Sequence, residues 1–432
     1  MADGIPKSKW ERGACVGKTA TGLGAKALAY LSRKPFLTHE KRAQARKSLD
    51  QESAALLFRS LGILRGAALK AAQFLSLETD LLPPEITQEL GKACHQAPPI
   101  NRALARKIVG AALGRPPEEL FTSFDGTPFA AASLGQVHRA VARDGQVLAV
   151  KLQYPGIRET IESDIRLLRA AAWTLPDHRL LDPVFEEIQA RLLEEVDYRR
   201  EMENMAFFRE GLAPDPVIIP ACRQEFCADT VLAAQYLDGM PLTDWLDTGP
   251  GQQQRDRVAQ TIQDIFVSGL YRLHGIHADP NPGNFLVRRD LSVGLVDFGC
   301  VKHFDPQFVE LYGRLAATAM HGGKNDYLSL LAGFQGDCPQ ASPDITQRLI
   351  EELQATGAWI ARLYRQETFD FRDNPDFIPA GKRRMAAAFK MRHYMTVTPH
   401  FLVLPRTRYG LLRLFERMGA RVGFRNPYEY RP

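Results

Sequence analysis

Apolar side chains recur at helical spacing along most of this chain and show strand-like grouping in one shorter region. Over 41–79 the leucines Leu49, Leu56, Leu57, Leu61 and Leu64 predict helix. Leu81-Leu82-Pro83-Pro84 ends that run, because proline lacks an N–H and fixes φ. Pro98-Pro99 makes a second break, and Asn101 is placed to cap a helix reaching about Leu113. Strand character begins near Phe129. Segments 137–142 and 147–153 flank Arg143-Asp144-Gly145 and read as a hairpin closed on an Asp-Gly turn. Helical periodicity returns over about 158–175 and 183–210, and 229–237 reads as another strand. Beyond it Val258, Ile262, Ile265, Phe266, Leu270 and Leu273 form one helical stripe. The order is a helical prefix, a small β-rich lobe and a large helical lobe, which makes the chain α+β.

Composition narrows the class. At about 100–200 residues per domain, 432 residues imply two to four units. With 45% apolar and 24% charged residues, the chain is neither disordered nor collagen-like. Net charge is only +5, but the first 50 residues carry eleven Lys/Arg against four Asp/Glu. That arm is therefore +7 and the remainder −2, so no nucleic-acid partner is expected. Six cysteines are too sparse for a disulfide scaffold, and the Cys222/Cys227 pair has no second pair at metal spacing. Reduced thiols fit a cytoplasmic compartment. No run of 18 apolar residues exists, so no membrane span is expected, and the N-terminus lacks a secretory pattern.

Two glycine-rich stretches imitate nucleotide loops. Gly13 to Thr19 has three residues between its glycines where a Walker loop needs four, and Gly22-Leu23-Gly24 follows no strand. The stronger signal is His277-Ala278-Asp279-Pro280-Asn281-Pro282-Gly283-Asn284, followed by Asp297-Phe298-Gly299. Phosphoryl transfer needs a carboxylate facing the attacking hydroxyl and oxygen ligands for magnesium. Asp279 suits the first role, and Asn284 and Asp297 suit the second. Gly294, Leu295 and Val296 would form a short strand delivering Asp297. Any one of these residues alone reads as a cap or turn; together they have kinase-like spacing. Upstream, Lys151 sits between apolar neighbours on the second hairpin strand and needs a partner charge. The 183–210 helix offers Glu186, Glu187, Glu194, Glu195, Glu201 and Glu203, and spacing does not choose among them. Where a kinase carries its glycine loop, this chain has Ala130, Ala131, Ala132, Ser133, Leu134, Gly135 and Gln136. Alanine methyls limit how closely backbone amides approach phosphate.

These motifs and departures resemble the UbiB/AarF family of atypical protein-kinase-like proteins, associated with ubiquinone biosynthesis, over about residues 55–425. The resemblance implies a two-lobed kinase-like fold with a helical N-terminal extension packed over the active site. Ala130, Ala131, Ala132 and Ser133 match the family's alanine-rich loop, and Lys151 its nucleotide lysine. Glu195 and Asp197 match its Glu-x-Asp motif, and Glu201 matches the glutamate that pairs with the lysine. Lys70 and Gln73 match the Lys-x-Gly-Gln element of the extension, with Ala72 in place of glycine. Together with Glu195 and Asp197 they would gate access. Pro405-Arg406-Thr407-Arg408-Tyr409-Gly410 also looks familial.

The implied organisation is a basic arm over 1–40, an extension over 41–115, an N-lobe over 116–238 and a C-lobe over 239–432. The implied activity is that of an ATPase or a small-molecule or lipid-linked phosphotransferase using ATP or ADP with magnesium. Implied partners are an anionic membrane surface, an isoprenoid lipid and proteins of quinone synthesis, with peripheral attachment at the inner membrane face. Two alternatives stand beside this reading: a nucleotide-regulated scaffold, and a kinase for a small molecule such as choline.

Overall fold

The computed structural model describes residues 100–132, 134–172, 182–212, 215–321, 329–330, 343–390 and 399–429, with isolated positions between 21 and 45. Lys70, Gln73, Ser133 and most of the basic arm lie outside the described residues. In chain order the elements used below begin with α1 (Arg102–Leu113), β1 (Phe121–Phe124), β2 (Ala130–Ala132), β3 (Gly135–Ala142) and β4 (Val147–Gln153). Next come α2 (Ile157–Ala172), α3 (Asp182–Glu195), α4 (Tyr198–Gly211), β5 (Val217–Ile218) and β6 (Val231–Gln235). β7 (Met240–Pro241), α5 (Leu242–Asp247), α6 (Gln252–Arg272), β8 (Gly275–His277), β9 (Phe285–Val287), β10 (Val293–Leu295) and β11 (Val301–His303) follow. The chain then forms α7 (Pro306–His321), α8 (Pro343–Ala361), β12 (Phe369–Asp370), α9 (Phe377–Lys390), α10 (Pro399–Met418) and β13 (Arg421–Val422).

The chain divides into two compact units. The first takes in residues up to Arg200 and 222–236, and the second takes in 201–221 and everything from Leu237. In the first unit five antiparallel strands run in the order β1-β3-β4-β6, with β2 on β3. The expected hairpin is present as β3 and β4, and Gly145 takes the positive φ of 86° that its turn requires. Leu148, Val150 and Leu152 point to one face of β4 and are fully buried with Ala105 and Val109 of α1. α1 starts where Asn101 predicts, because its side chain accepts from the Leu104 amide at 2.8 Å.

Two local expectations differ from the structure. The continuous helix over 183–210 is two helices, broken at Val196-Asp197. The Asp197 side chain accepts from the Arg200 amide at 3.2 Å and so opens α4 as its cap. The alanines expected as a loop form strand β2, in register Ala130↔Val137, Ala131↔Gln136 and Ala132↔Gly135. Small side chains fit that edge, where Ala130 and Ala131 are exposed.

The second unit is mainly helical. α6 carries the expected stripe, with Val258, Ile262, Ile265, Phe266 and Leu270 buried. It packs on β8, α10 and β13. A short sheet runs β5-β10-β9-β7, and β8 pairs with β11. Phe369, Phe371, Phe377, Phe415 and Phe424 form a dense aromatic core, with ring centroids 4.8–6.5 Å apart.

Beside that core lies a buried charge pair. Arg408 of α10 donates to both oxygens of Glu429, at 2.9 and 3.1 Å. The Tyr271 hydroxyl donates to the same carboxylate at 2.8 Å, as does Asn426 at 3.0 Å; the Tyr364 hydroxyl also donates to it. Burial alone would raise the Glu429 pKa, but the Arg408 charge and these donors outweigh it and hold the carboxyl below its ordinary value. Glu429→Gln leaves the arginine charge buried without its counter-ion. The expected loss is about 3–5 kcal/mol of unfolding free energy, read by denaturant unfolding. Because the folded pKa is depressed, this stabilisation is present above about pH 4.3 and is lost as pH falls below it. The variant's melting temperature should therefore fall less than the wild type's on acidification.

Candidate functional site

In the second unit, local pairing brings the Asp-x4-Asn segment and the Asp297 segment together. β8 ends at His277 and pairs with β11, and the ladder continues as the Ala278 amide donates to Cys300 O at 2.8 Å. Asp279 thus leaves one strand beside the turn that carries Asp297. Pro280 and Pro282 stiffen the following loop, and Asn281 caps Gly283 N at 2.9 Å. Asn284 is buried, at 7% exposure. Its Nδ2 donates to Asp279 O at 3.2 Å and to Asp279 Oδ2 at 3.1 Å. Both partners are acceptors, so the amide orientation is forced and Oδ1 is the atom left for a cation. The Asn284 carbonyl accepts from Val296 N at 3.0 Å, tying this residue to the one before Asp297.

Asp297 itself has φ of 62°, left-handed backbone in a residue other than glycine. Its carbonyl accepts from His277 Nε2 at 2.8 Å, so that nitrogen carries the proton. Phe298 is fully buried against His277 and Phe208, and its carbonyl accepts from Asn204 Nδ2 at 3.0 Å. The expected strand before Asp297 is present as β10, shifted by one residue so that Val296 lies outside it.

In the first unit, Lys151 and Gln153 share the face of β4 opposite its core leucines. Lys151 is 9% exposed, and its ammonium lies 5.2 Å from the Tyr198 ring centroid. Gln153 Nε2 donates to Val196 O at 2.9 Å, which anchors β4 to the break between α3 and α4. Glu195 is buried beside that break, and Asp197 caps α4. Glu201 stands in the first turn of α4, buried at 2%, and belongs to the second unit. Of the residues expected to line a nucleotide loop, Ala130, Ala131 and Ala132 lie on β2.

Sequence reasoning missed Asn204, Gln153 and the Tyr198 contact. Asn204 had one usable signal: three residues beyond Glu201, it lies on the same helical face.

Magnesium takes few protein ligands when phosphates and water complete its octahedron. The Oδ1 of Asn284 and the Asp297 carboxylate fit that donor set. Among the described residues no three His, Cys, Asp or Glu side chains gather as a metal cage.

Residues 92–330 match the ABC1 atypical kinase-like domain. The chain is 32% identical over 372 residues to atypical kinase COQ8B, mitochondrial, of Rattus norvegicus, covering 82% of this chain and 70% of that protein. It is 28% identical over 325 residues to atypical kinase COQ8, mitochondrial, of Saccharomyces cerevisiae, covering 73% of this chain and 64% of that protein. A solved structure, the complex of Rv3197 with erythromycin from Mycobacterium tuberculosis, is similar at a TM-score of 0.60 and 26% identity. The match covers 88% of this chain and 96% of that one. No helix among the described residues is long and apolar enough to cross a membrane.

Gly135 tests the first unit. A β-carbon there would lie 2.2 Å from Leu152 O, the residue after Lys151, so β4 must give way. Gly135→Ala is expected to cost about 1–3 kcal/mol in a urea unfolding curve.

Proposed function

The chain belongs to the UbiB/AarF family of ABC1 atypical kinase-like proteins, and we propose that it binds ATP or ADP with magnesium and hydrolyses it or transfers a phosphoryl group to a small or lipid-linked acceptor. The observation that carries this reading is the double tie at Asn284, whose side chain holds Asp279 and whose carbonyl holds Val296 beside Asp297. In this reading Asp279 orients the attacking water or hydroxyl and accepts its proton. Asn284 Oδ1 and the Asp297 carboxylate hold magnesium, which when bound neutralises charge on the phosphate oxygens. Lys151 is assigned to the phosphates, and Glu201 keeps the role that the resemblance implies. Lys70, Gln73, Glu195 and Asp197 are proposed to gate access. The family likeness supports a setting in ubiquinone or other isoprenoid-lipid metabolism.

Asp297→Asn keeps the side-chain shape and removes the charge. It is expected to lower magnesium-dependent phosphate release about a hundredfold or more at saturating nucleotide. Unchanged release overturns the assignment.

One observation favours a second reading, a nucleotide-regulated scaffold. The alanines of β2 are paired to β3 in register, and their methyls limit close approach of backbone amides to phosphate. Thermal stabilisation by nucleotide without phosphate release, with or without anionic vesicles, would select the scaffold.

The +7 arm supports attachment to an anionic membrane surface, worth about 1 kcal/mol per nearby basic residue. The chain lacking residues 1–35 is expected to co-sediment less with anionic vesicles, and added salt should reduce the full chain's binding. Equal binding of the two chains removes the tether.

A further inference from the structure

Glycine is a poor choice for the interior of a helix, because alanine in its place is the better helix former. Gly410 nevertheless stands in the middle of α10. A β-carbon built there would lie 2.4 Å from Pro280 Cγ and 3.2 Å from Pro280 Cβ. Pro280 directly follows Asp279, and its ring is part of the loop backbone, so the clash has no flexible side-chain end to yield. One turn earlier on the same helix, buried Thr407 donates to Val403 O at 3.0 Å and approaches Ala278 O, the residue before Asp279, at 3.5 Å. Between them Arg408 is held in both of its nitrogen arms by Glu429, which sets the rotation of α10 about its axis.

We propose that Gly410 and Thr407 are positioning residues for Asp279: α10 presents a bare backbone and one hydroxyl as a seat for the 278–280 loop. Neither touches a reacting atom in this arrangement. This inference rests on the reading of Asp279 as the residue that orients the attacking group.

Gly410→Ala is expected to lower kcat for nucleotide turnover about tenfold to a hundredfold, with nucleotide KM close to wild type and a melting temperature lowered by the overpacking. Hydrogen exchange in residues 275–285 should accelerate, while residues 403–412 keep their protection. Pro280→Ala removes the ring atoms in conflict, so the double variant should be less impaired than the two single effects multiplied. Thr407→Val, a milder change, is expected to lose about threefold to tenfold in kcat, with Thr407→Ser restoring it. It carries the test should Gly410→Ala not fold.

Unchanged kcat and unchanged exchange over 275–285 in both Gly410→Ala and Thr407→Val overturn the proposal. So does a fall in kcat with the loop's exchange unaltered. A wild-type protein without turnover counts against the proposed function instead, because the exchange measurement still reads whether α10 seats the loop.

Discussion

The Arg408–Glu429 pair is the constraint on which the helical unit depends. Two opposite charges, exposed by 6% and 1% in their side chains, have been removed from water. Such a pair gains little over a well-packed apolar replacement, but half of it is far worse than none. Its value is therefore specificity. The carboxylate accepts from an arginine on α10, a tyrosine on α6, a second tyrosine after α8 and an asparagine close by in the chain. Only one rotation of α10 and one path of the C-terminal segment satisfy all four donors at once. The aromatic core of Phe369, Phe371, Phe377, Phe415 and Phe424 supplies bulk burial beside it, which is strong but not directional. Apolar packing gathers these elements, and the buried pair decides how they are turned.

That setting matters on the same stretch of α10, where Thr407 and Gly410 flank Arg408 and meet the 278–280 loop. The loop and the turn at Asp297 are built from groups that bind one another before any ligand arrives. Asn284 holds Asp279 by its side chain and Val296 by its carbonyl; His277 holds the carbonyl of Asp297; Asn204 holds that of Phe298. A left-handed backbone at a residue other than glycine costs on the order of 1–3 kcal/mol. The His277 bond and the burial of Phe298 over-determine the turn and offset that cost.

What could be read in the sequence divides along contact distance in the chain. The Asn101 cap, the hairpin, the α6 stripe and the Asp-x4-Asn segment are local, so spacing and residue type specify them directly. The break at Val196-Asp197 was missed although it too is local. Apolar residues recur on both sides of it, Leu192 and Val196 before and Met205 and Phe208 after, and only the cap at Asp197 marks the new start. Gln153 to Val196, Asn204 to Phe298 and Thr407 to Ala278 join residues 43, 94 and 129 apart. No periodicity encodes such pairs. Arg408 and Glu429 are only 21 apart, yet nothing in a lone arginine and a lone glutamate says that they will be buried together.

The alanines of β2 bear on the proposed nucleotide binding. A glycine loop grips phosphate oxygens with successive backbone amides, which requires backbone that is free of other partners and open to close approach. Here Ala130, Ala131 and Ala132 are aligned on β3, and their methyls stand where glycine would leave space. Lys151 is set differently: its strand is anchored on one side by the buried leucines and on the other by Gln153 at Val196. Its ammonium lies 5.2 Å from the Tyr198 ring centroid.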